Sequence, residues 1–167
     1  MKFYSLVFCL VAALFVTACE SKPLESDQTT QVDLASDDFL EASFMSKAKS
    51  FSYHFEYDGA LMQMTEGEAL ASGPYFLVEG GSTILGETLS LSEIVEMTEL
   101  AGEPVQVGAY QVYRYMDSQG SCALARSLVP YGEEALLLTL SICEGQDGEK
   151  GRMALESLLQ NLSIQAQ

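Results

Sequence analysis

The sequence predicts an α+β fold: a single domain whose mainly antiparallel sheet is packed by about three helices, set behind a signal peptide and a flexible tether. Three observations carry this expectation. Residues 51–58 alternate aromatic and polar side chains (Phe51, Tyr53, Phe55 and Tyr57 against Ser52, His54, Glu56 and Asp58), the pattern of a half-buried strand. Residues 122–129 and 134–143 are two apolar-rich runs around Gly132-Glu133, the arrangement of a hairpin. Near the end, Leu155, Leu158, Leu159 and Leu162 recur at helical spacing within 149–162.

The N-terminus gives an address before it gives a fold. A single cation, Lys2, precedes an uncharged apolar stretch over residues 3–18, the layout of a secretory signal. A mature span takes about 20 apolar residues, so this run is short for that role, and no basic cluster follows it. Val16-Thr17-Ala18-Cys19 places small residues before a cysteine and resembles the lipobox of bacterial lipoproteins. The resemblance covers residues 1–20. It implies that the Cys19 thiol is lipidated, that residues 1–18 are cut away as a lipoprotein signal peptide, and that the new N-terminus is acylated. Two or more chains anchor a protein stably, so the membrane itself is the first expected partner. Position 20 is Glu rather than Asp, which in the enteric members of the family implies the outer membrane, facing the periplasm, rather than the inner membrane.

Charge narrows the partners. The chain carries 24 acidic and 8 basic residues, a net charge of −16, and loss of the signal removes Lys2 but no acid. Such a surface repels phosphate backbones and anionic headgroups, so nucleic acid is excluded as a partner. The acidity reads as a solubilising surface of an envelope protein. Of the four cysteines, Cys9 leaves with the signal and Cys19 is the lipid position, which leaves Cys122 and Cys143 in an exported chain. Oxidising surroundings make a disulfide the expected state of that pair, worth roughly 3 kcal/mol for a loop of about 20 residues.

After Cys19, residues 20–36 are polar and read as a linker, so that 19–36 forms the lipidated cysteine and tether and 37–167 the globular domain. The domain is expected to begin with a helix: Ser36, Asp37 and Asp38 offer caps, Phe39, Leu40, Phe44 and Met45 share a helical face, and Lys47 and Lys49 lie at the far end. The strand over 51–58 should turn at Asp58-Gly59 into a partner over 60–64, pairing Tyr57 with Ala60, Phe55 with Met62 and Tyr53 with Met64. Further strands are expected over 74–79 and 82–85, separated by Gly80-Gly81. A helix over 91–100 follows, with Ser90 and Glu93 as a capping box, Leu91, Ile94 and Val95 as its stripe, and Gly102 as its end. Residues 105–116 read as one long strand, bent at Gly108.

In the last third, a two-residue turn at Gly132-Glu133 sets Tyr131 opposite Glu134 and carries the register to Cys122 opposite Cys143. Pro130-Tyr131-Gly132 also suits a type I turn with a bulge, which would move the cysteines out of opposition. Residues 145–148 form a loop and 149–162 the final helix. The order of elements over residues 75–165 resembles the PsbP-like group of α/β/α sandwiches, which implies helices on both sides of the sheet.

The search for chemistry yields few candidates. His54 is the sole histidine and shares the polar side of its strand with Glu56 and Asp58; His54 and Glu56 are the candidate metal or small-ligand pair, against a solvated strand face. Met62 and Met64 are soft donors but belong with the core. Arg114 and Arg126 lie in otherwise uncharged strands and are candidates to line a pocket, with pairing to nearby acids as the structural alternative. No Gly-x-Ser-x-Gly elbow, phosphate loop or catalytic triad is present, and no catalytic residue or cofactor is assigned. The expectation is a non-enzymatic, lipid-anchored binding or assembly module with an envelope protein as partner. A hydrolase using paired carboxylates and a metal or small-ligand carrier on the acidic face are the alternatives.

Overall fold

The computed structural model describes residues 39–65 and 73–167. The signal over 1–18, Cys19 and the linker over 20–36 lie outside the described residues. Two sheets and two helices make up the described part. A small sheet has the order β1-β2-β10 and a large one the order β3-β4-β5-β9-β8-β7-β6. Their ranges are β1 Phe39–Met45, β2 Phe51–Asp58, β3 Met62–Thr65, β4 Tyr75–Val78, β5 Thr83–Ser90, α1 Leu91–Ala101, β6 Val105–Val107, β7 Tyr110–Gln119, β8 Cys122–Tyr131, β9 Glu134–Ile142, α2 Gly148–Gln160 and β10 Leu162–Ala166. The α+β class is as the sequence predicts, but the described helices number two, not three.

The first expected helix is instead β1. It pairs antiparallel with β2, placing Ala42 opposite Phe55 and Phe44 opposite Tyr53. Only Ala42 is buried and Phe44 half-buried, a spacing of two that belongs to a strand, while Phe39, Leu40 and Met45 stay exposed. The Phe44 ring stacks on Tyr53 at 5.0 Å between centroids, and that cross-strand contact overrides the weak helical pattern.

Aromatic alternation in β2 is real: Tyr53, Phe55 and Tyr57 are all buried. Its partners are not the expected ones. The Asp58 turn forms, with Asp58 Oδ1 accepting the Ala60 N–H at 2.8 Å and the Asp58 carbonyl accepting the Leu61 N–H at 3.1 Å. Yet the chain leaves it for the other sheet, where β3 pairs Met62 with Val78 and Met64 with Phe76 of β4. Phe55 and Tyr57 then meet Phe76 edge-on, at 6.0 and 5.3 Å, across the space between the sheets. Packing of the two layers supplies what a hairpin would have supplied.

β4 and β5 stand where expected, β5 continuing to Ser90 along β9. At the start of α1, the Glu93 carboxylate accepts the Ser90 N–H at 2.8 Å and the Ser90 hydroxyl at 2.7 Å. Of the predicted stripe, Ile94 alone is buried, whereas Leu91 and Val95 are exposed. The single long strand over 105–116 is two strands: Gly108 takes φ +56° and closes a tight turn that pairs Val107 with Tyr110.

The β8–β9 hairpin adopts the two-residue turn, with Gly132 at φ +65° and Tyr131 opposite Glu134. The register then runs through Val129–Leu136 and Ala125–Leu140 to the disulfide between Cys122 and Cys143, whose Cα atoms lie 4.0 Å apart. α2 is capped by Asp147, whose Oδ1 accepts the N–H groups of Glu149 and Lys150. It ends at Gln160. Leu162 belongs not to this helix but to β10, which pairs with β2 and sets Leu162 opposite Phe55 and Ile164 opposite Tyr53.

β9 lies at the centre of the large sheet and is covered on both faces. Leu136, Leu138 and Leu140 join the main core with α2 and the small sheet, while Ala135 and Leu137 pack with Leu128 and Ile94 under α1. The two helices therefore cover opposite faces of the large sheet. The main core is the space between the large sheet and the layer formed by α2 with the small sheet.

Candidate functional site

Among the described residues, two concave places carry polar side chains. One lies on the outer face of the small sheet. Alternation along β2 turns Ser52, His54 and Glu56 away from the aromatic side. Pairing then lines up Ser43, His54 and Ser163 across the three strands, with Glu41 beside Glu56. These residues, with Asn161 and Gln165, line a groove of about 400 Å³. His54 and Glu56 thus share one groove, but among the described residues no three His, Cys, Asp or Glu side chains gather as a metal set.

The nearest partner of His54 is Ser52, whose Oγ lies 3.0 Å from Nε2. Ser52 is buried, and its oxygen also accepts the side-chain amide of Gln167 at 2.9 Å. A serine nucleophile needs an accessible oxygen and a base steadied by a third group. Here the pair instead ties Gln167 to β2.

The other place is a cleft of about 650 Å³ at one end of the domain, where three turns meet. The β1–β2 loop contributes Lys47, Ala48 and Ser50, the end of β5 contributes Thr88 and Leu89, and the β8–β9 turn contributes Glu133 and Glu134. The loop owes its shape to Ser46, a buried residue whose hydroxyl accepts the N–H groups of Ser50 and Phe51, and to Lys49, which takes φ +60°. Its outer edge is tied down where Thr88 Oγ1 accepts the Lys47 N–H at 3.0 Å.

Glu134 is the unusual member. It is 8 % exposed, and a carboxylate so enclosed is costly unless it is paired. Its Oε1 accepts the Ala48 N–H at 3.1 Å, but its Oε2 is buried without a hydrogen-bond partner among the described residues. The phenol oxygen of Tyr53 is likewise buried and unpartnered. Burial pushes the Tyr53 phenol up to about 12, and the negative charge of Glu134 adds to the rise. Glu93, on the exposed rim, is held below the usual carboxylate range, first by the Ser90 N–H and then by the Ser90 hydroxyl.

Glu134 was not among the residues singled out from sequence, because a position just after a turn reads as solvent-facing. The available signal was that it is the one acid heading the apolar run Ala135-Leu136-Leu137-Leu138. Arg114 and Arg126 do not share a pocket. Tyr113 and Leu128 of the paired strands β7 and β8 pack in the layer under α1, so Arg114, one residue on, faces α2, whereas Arg126 faces the α1 side. Arg114 forms an ion pair with Glu156 of α2 at 2.6 Å. Arg126 reaches Asp117 at 3.4 Å and lies 5.7 Å from the centre of the Tyr115 ring. Each arginine is a bracket between elements, the structural alternative of the two.

Compared with known proteins, the chain matches no family model and no curated protein. Among solved structures it is similar to a protein of Bacteroides thetaiotaomicron VPI-5482, at 14 % identity and a TM-score of 0.46, over 75 % of this chain and 48 % of that one. The chain therefore spans about half the length of that protein. It is also similar to LpqN of Mycobacterium tuberculosis, described as involved in cell envelope biogenesis, at 9 % identity and a TM-score of 0.48, over 75 % of this chain and 91 % of that one. No described helix is long and apolar enough to cross a membrane.

Proposed function

We propose that the protein is a non-enzymatic binding module of the bacterial cell envelope, tethered by lipid on Cys19 to the periplasmic face of the outer membrane, and that the Glu134 cleft is where it engages its partner. The anchoring half of this reading rests on Val16-Thr17-Ala18-Cys19 and the apolar leader before it. The binding half is carried by one observation: an enclosed carboxylate with one oxygen unpartnered among the described residues stands in the wall of a cleft. Natural folds leave such a group incomplete mainly where something else completes it.

A hydrolase with two carboxylates is the weaker reading of the same cleft. Its second acid would be Glu93 or Glu133, both exposed on the rim. Glu93 is engaged in capping α1 and its carboxyl is held low, whereas a general acid needs its carboxyl held high. Binding asks less of these residues than catalysis does.

Two measurements test the proposal. Cys19→Ser should abolish the mass increment of the mature chain and move it from the detergent phase to the aqueous phase. A Cys19→Ser chain of unchanged mature mass that still partitions into detergent defeats the anchoring claim. For the cleft, a photo-crosslinker at Glu133 in intact cells should give a discrete adduct that is lost in Glu134→Ala. Adducts indifferent to that change defeat the binding claim.

A further inference from the structure

We infer that the Glu134 cleft takes an alkylammonium group: a primary ammonium at the end of an unbranched apolar stem. This deepens the binding reading above and rests on it. The argument begins with charge. Glu134 is enclosed, lines the cleft, and among the described residues receives a single N–H, from Ala48, so its negative charge is only partly met. A cation is the complement that an enclosed carboxylate favours most.

The kind of cation follows from which oxygens are available. A guanidinium matches a carboxylate through two parallel bonds, one to each oxygen. Here Oε1 already holds the N–H of Ala48, a residue of the cleft wall, while Oε2 is enclosed with no hydrogen-bond partner among the described residues. With Oε1 engaged, the carboxylate offers a single unmet point of contact, Oε2, and a compact ammonium makes such a contact where a two-bond fork does not. A hard divalent ion asks for about six oxygens. No metal-binding cluster of three acids is found among the described residues.

The walls define the rest of the ligand. Phe51 and Leu89 give the cleft an apolar side, suited to a methylene stem, and an aromatic ring beside an ammonium adds a favourable contact. The volume of about 650 Å³ admits a stem of several carbons. Glu93 and Glu133 on the rim, on a chain of net charge −16, draw cations toward the mouth. Lys47 is the one basic side chain at the cleft among the described residues, and its charge acts on Glu93.

Such a group comes either from a free amine or from a lysine side chain of another protein. The test uses the full chain in detergent, with amide spectra and calorimetry as readouts. Probes are n-pentylammonium, cadaverine and the peptide acetyl-Gly-Lys-Gly-amide, with n-pentanol and n-pentylguanidinium as controls. The three ammonium probes should shift the amides of Ala48, Phe51 and Glu133 saturably, and bind about tenfold or more tightly than n-pentanol or the guanidinium. Glu134→Gln keeps an oxygen for the Ala48 N–H, so the fold and its spectrum should persist while ammonium affinity drops about tenfold or more. Glu133→Gln, an exposed rim change, should alter affinity by less than about threefold.

A peptide that matches the free amines assigns the site to a protein lysine; free amines that bind much better assign it to a small ligand, and either result supports the inference. If n-pentanol or the guanidinium binds as well as n-pentylammonium, the ligand class is wrong while the cleft remains a binding site. If no probe moves those three amides while the Glu133 photo-crosslinker still gives a Glu134-dependent adduct, the inference falls and the binding reading stands; if that adduct is absent too, both fall.

Discussion

Gly132, in the turn of the large sheet, stands directly against the ring of Phe51 at the start of β2 in the small sheet: a β-carbon added there would lie 2.9 Å from Cζ. The same ring meets Tyr131 edge-on at 4.9 Å. The contact fixes one wall of the Glu134 cleft by locking the hairpin turn to the neighbouring layer. Gly132→Ala should destabilise the domain by about 1–3 kcal/mol in urea unfolding, since a left-handed φ and a steric conflict act together. In a Phe51→Leu background the steric share should vanish and only the backbone share remain, and strict additivity of the two changes would contradict this account.

Alkaline stability should report on Tyr53. Its phenol is held at about 12, above the value near 10 expected in an unfolded chain, so the folded state binds the proton more tightly. The stabilisation is complete below pH ~10 and is lost as pH rises through the folded value, because in that window the unfolded chain holds fewer protons than the native one. Tyr53→Phe should flatten this loss between about pH 10 and 12 and leave neutral-pH stability unchanged or raised by about 1 kcal/mol, since an unpartnered hydroxyl goes with it. Glu134→Gln should lower the Tyr53 value in a phenolate titration without returning it to ordinary, because burial is the larger cause.

The disulfide joins Cys122 and Cys143, 21 residues apart, at the open end of the β8–β9 hairpin. Replacing both by Ser should cost about 3 kcal/mol in equilibrium unfolding under oxidising conditions and nothing further when reductant is added. The hairpin register should survive, since the turn and the apolar pairs along it are independent of the bond. Cross-strand contacts between Ala125 and Leu140 in the double-Ser variant check this directly.

On β10, Ile164 and Gln165 point to opposite sides of the small sheet. Ile164→Ala should cost about 2–5 kcal/mol by opening a void against the core, whereas Gln165→Ala, on the exposed side, should stay within about 0.5 kcal/mol. Similar losses at both positions would show that β10 contributes through its backbone alone.

What the sequence made legible was local. The Ser90–Glu93 box and the Gly132-Glu133 turn, from which the cysteine pairing follows, each depend on residues within a few positions, and each stands in the structure as expected. The missed features depend on distant partners. Phe39 to Met45 bury little by themselves, so their strand is visible only once β2 lies beside it. The alternation of β2 identified a strand but not its neighbours: Asp58-Gly59 marks a turn whether the chain returns to the same sheet or crosses to another. Leu162 fits the stripe of α2 as well as it fits the inner face of β10, and only Phe55 opposite it decides. The same holds for the candidate site. His54 and Glu56 were legible because they lie on one strand, whereas the Glu134 cleft joins a loop near residue 48 to a turn near residue 133, with no shared sequence pattern.

β2 lies between one neighbour that immediately precedes it and one that follows about 100 residues later in the chain. At a synthesis rate of ~5–20 residues per second, the roughly 100 residues separating β2 from β10 correspond to a wait of several seconds. Throughout that interval, the side of β2 that will receive Leu162 and Ile164 has no permanent occupant. A nascent copy of this protein therefore needs either a temporary cover for that row of backbone groups or a delay in collapsing. The moment of completion is set by the emergence of Leu162–Ala166.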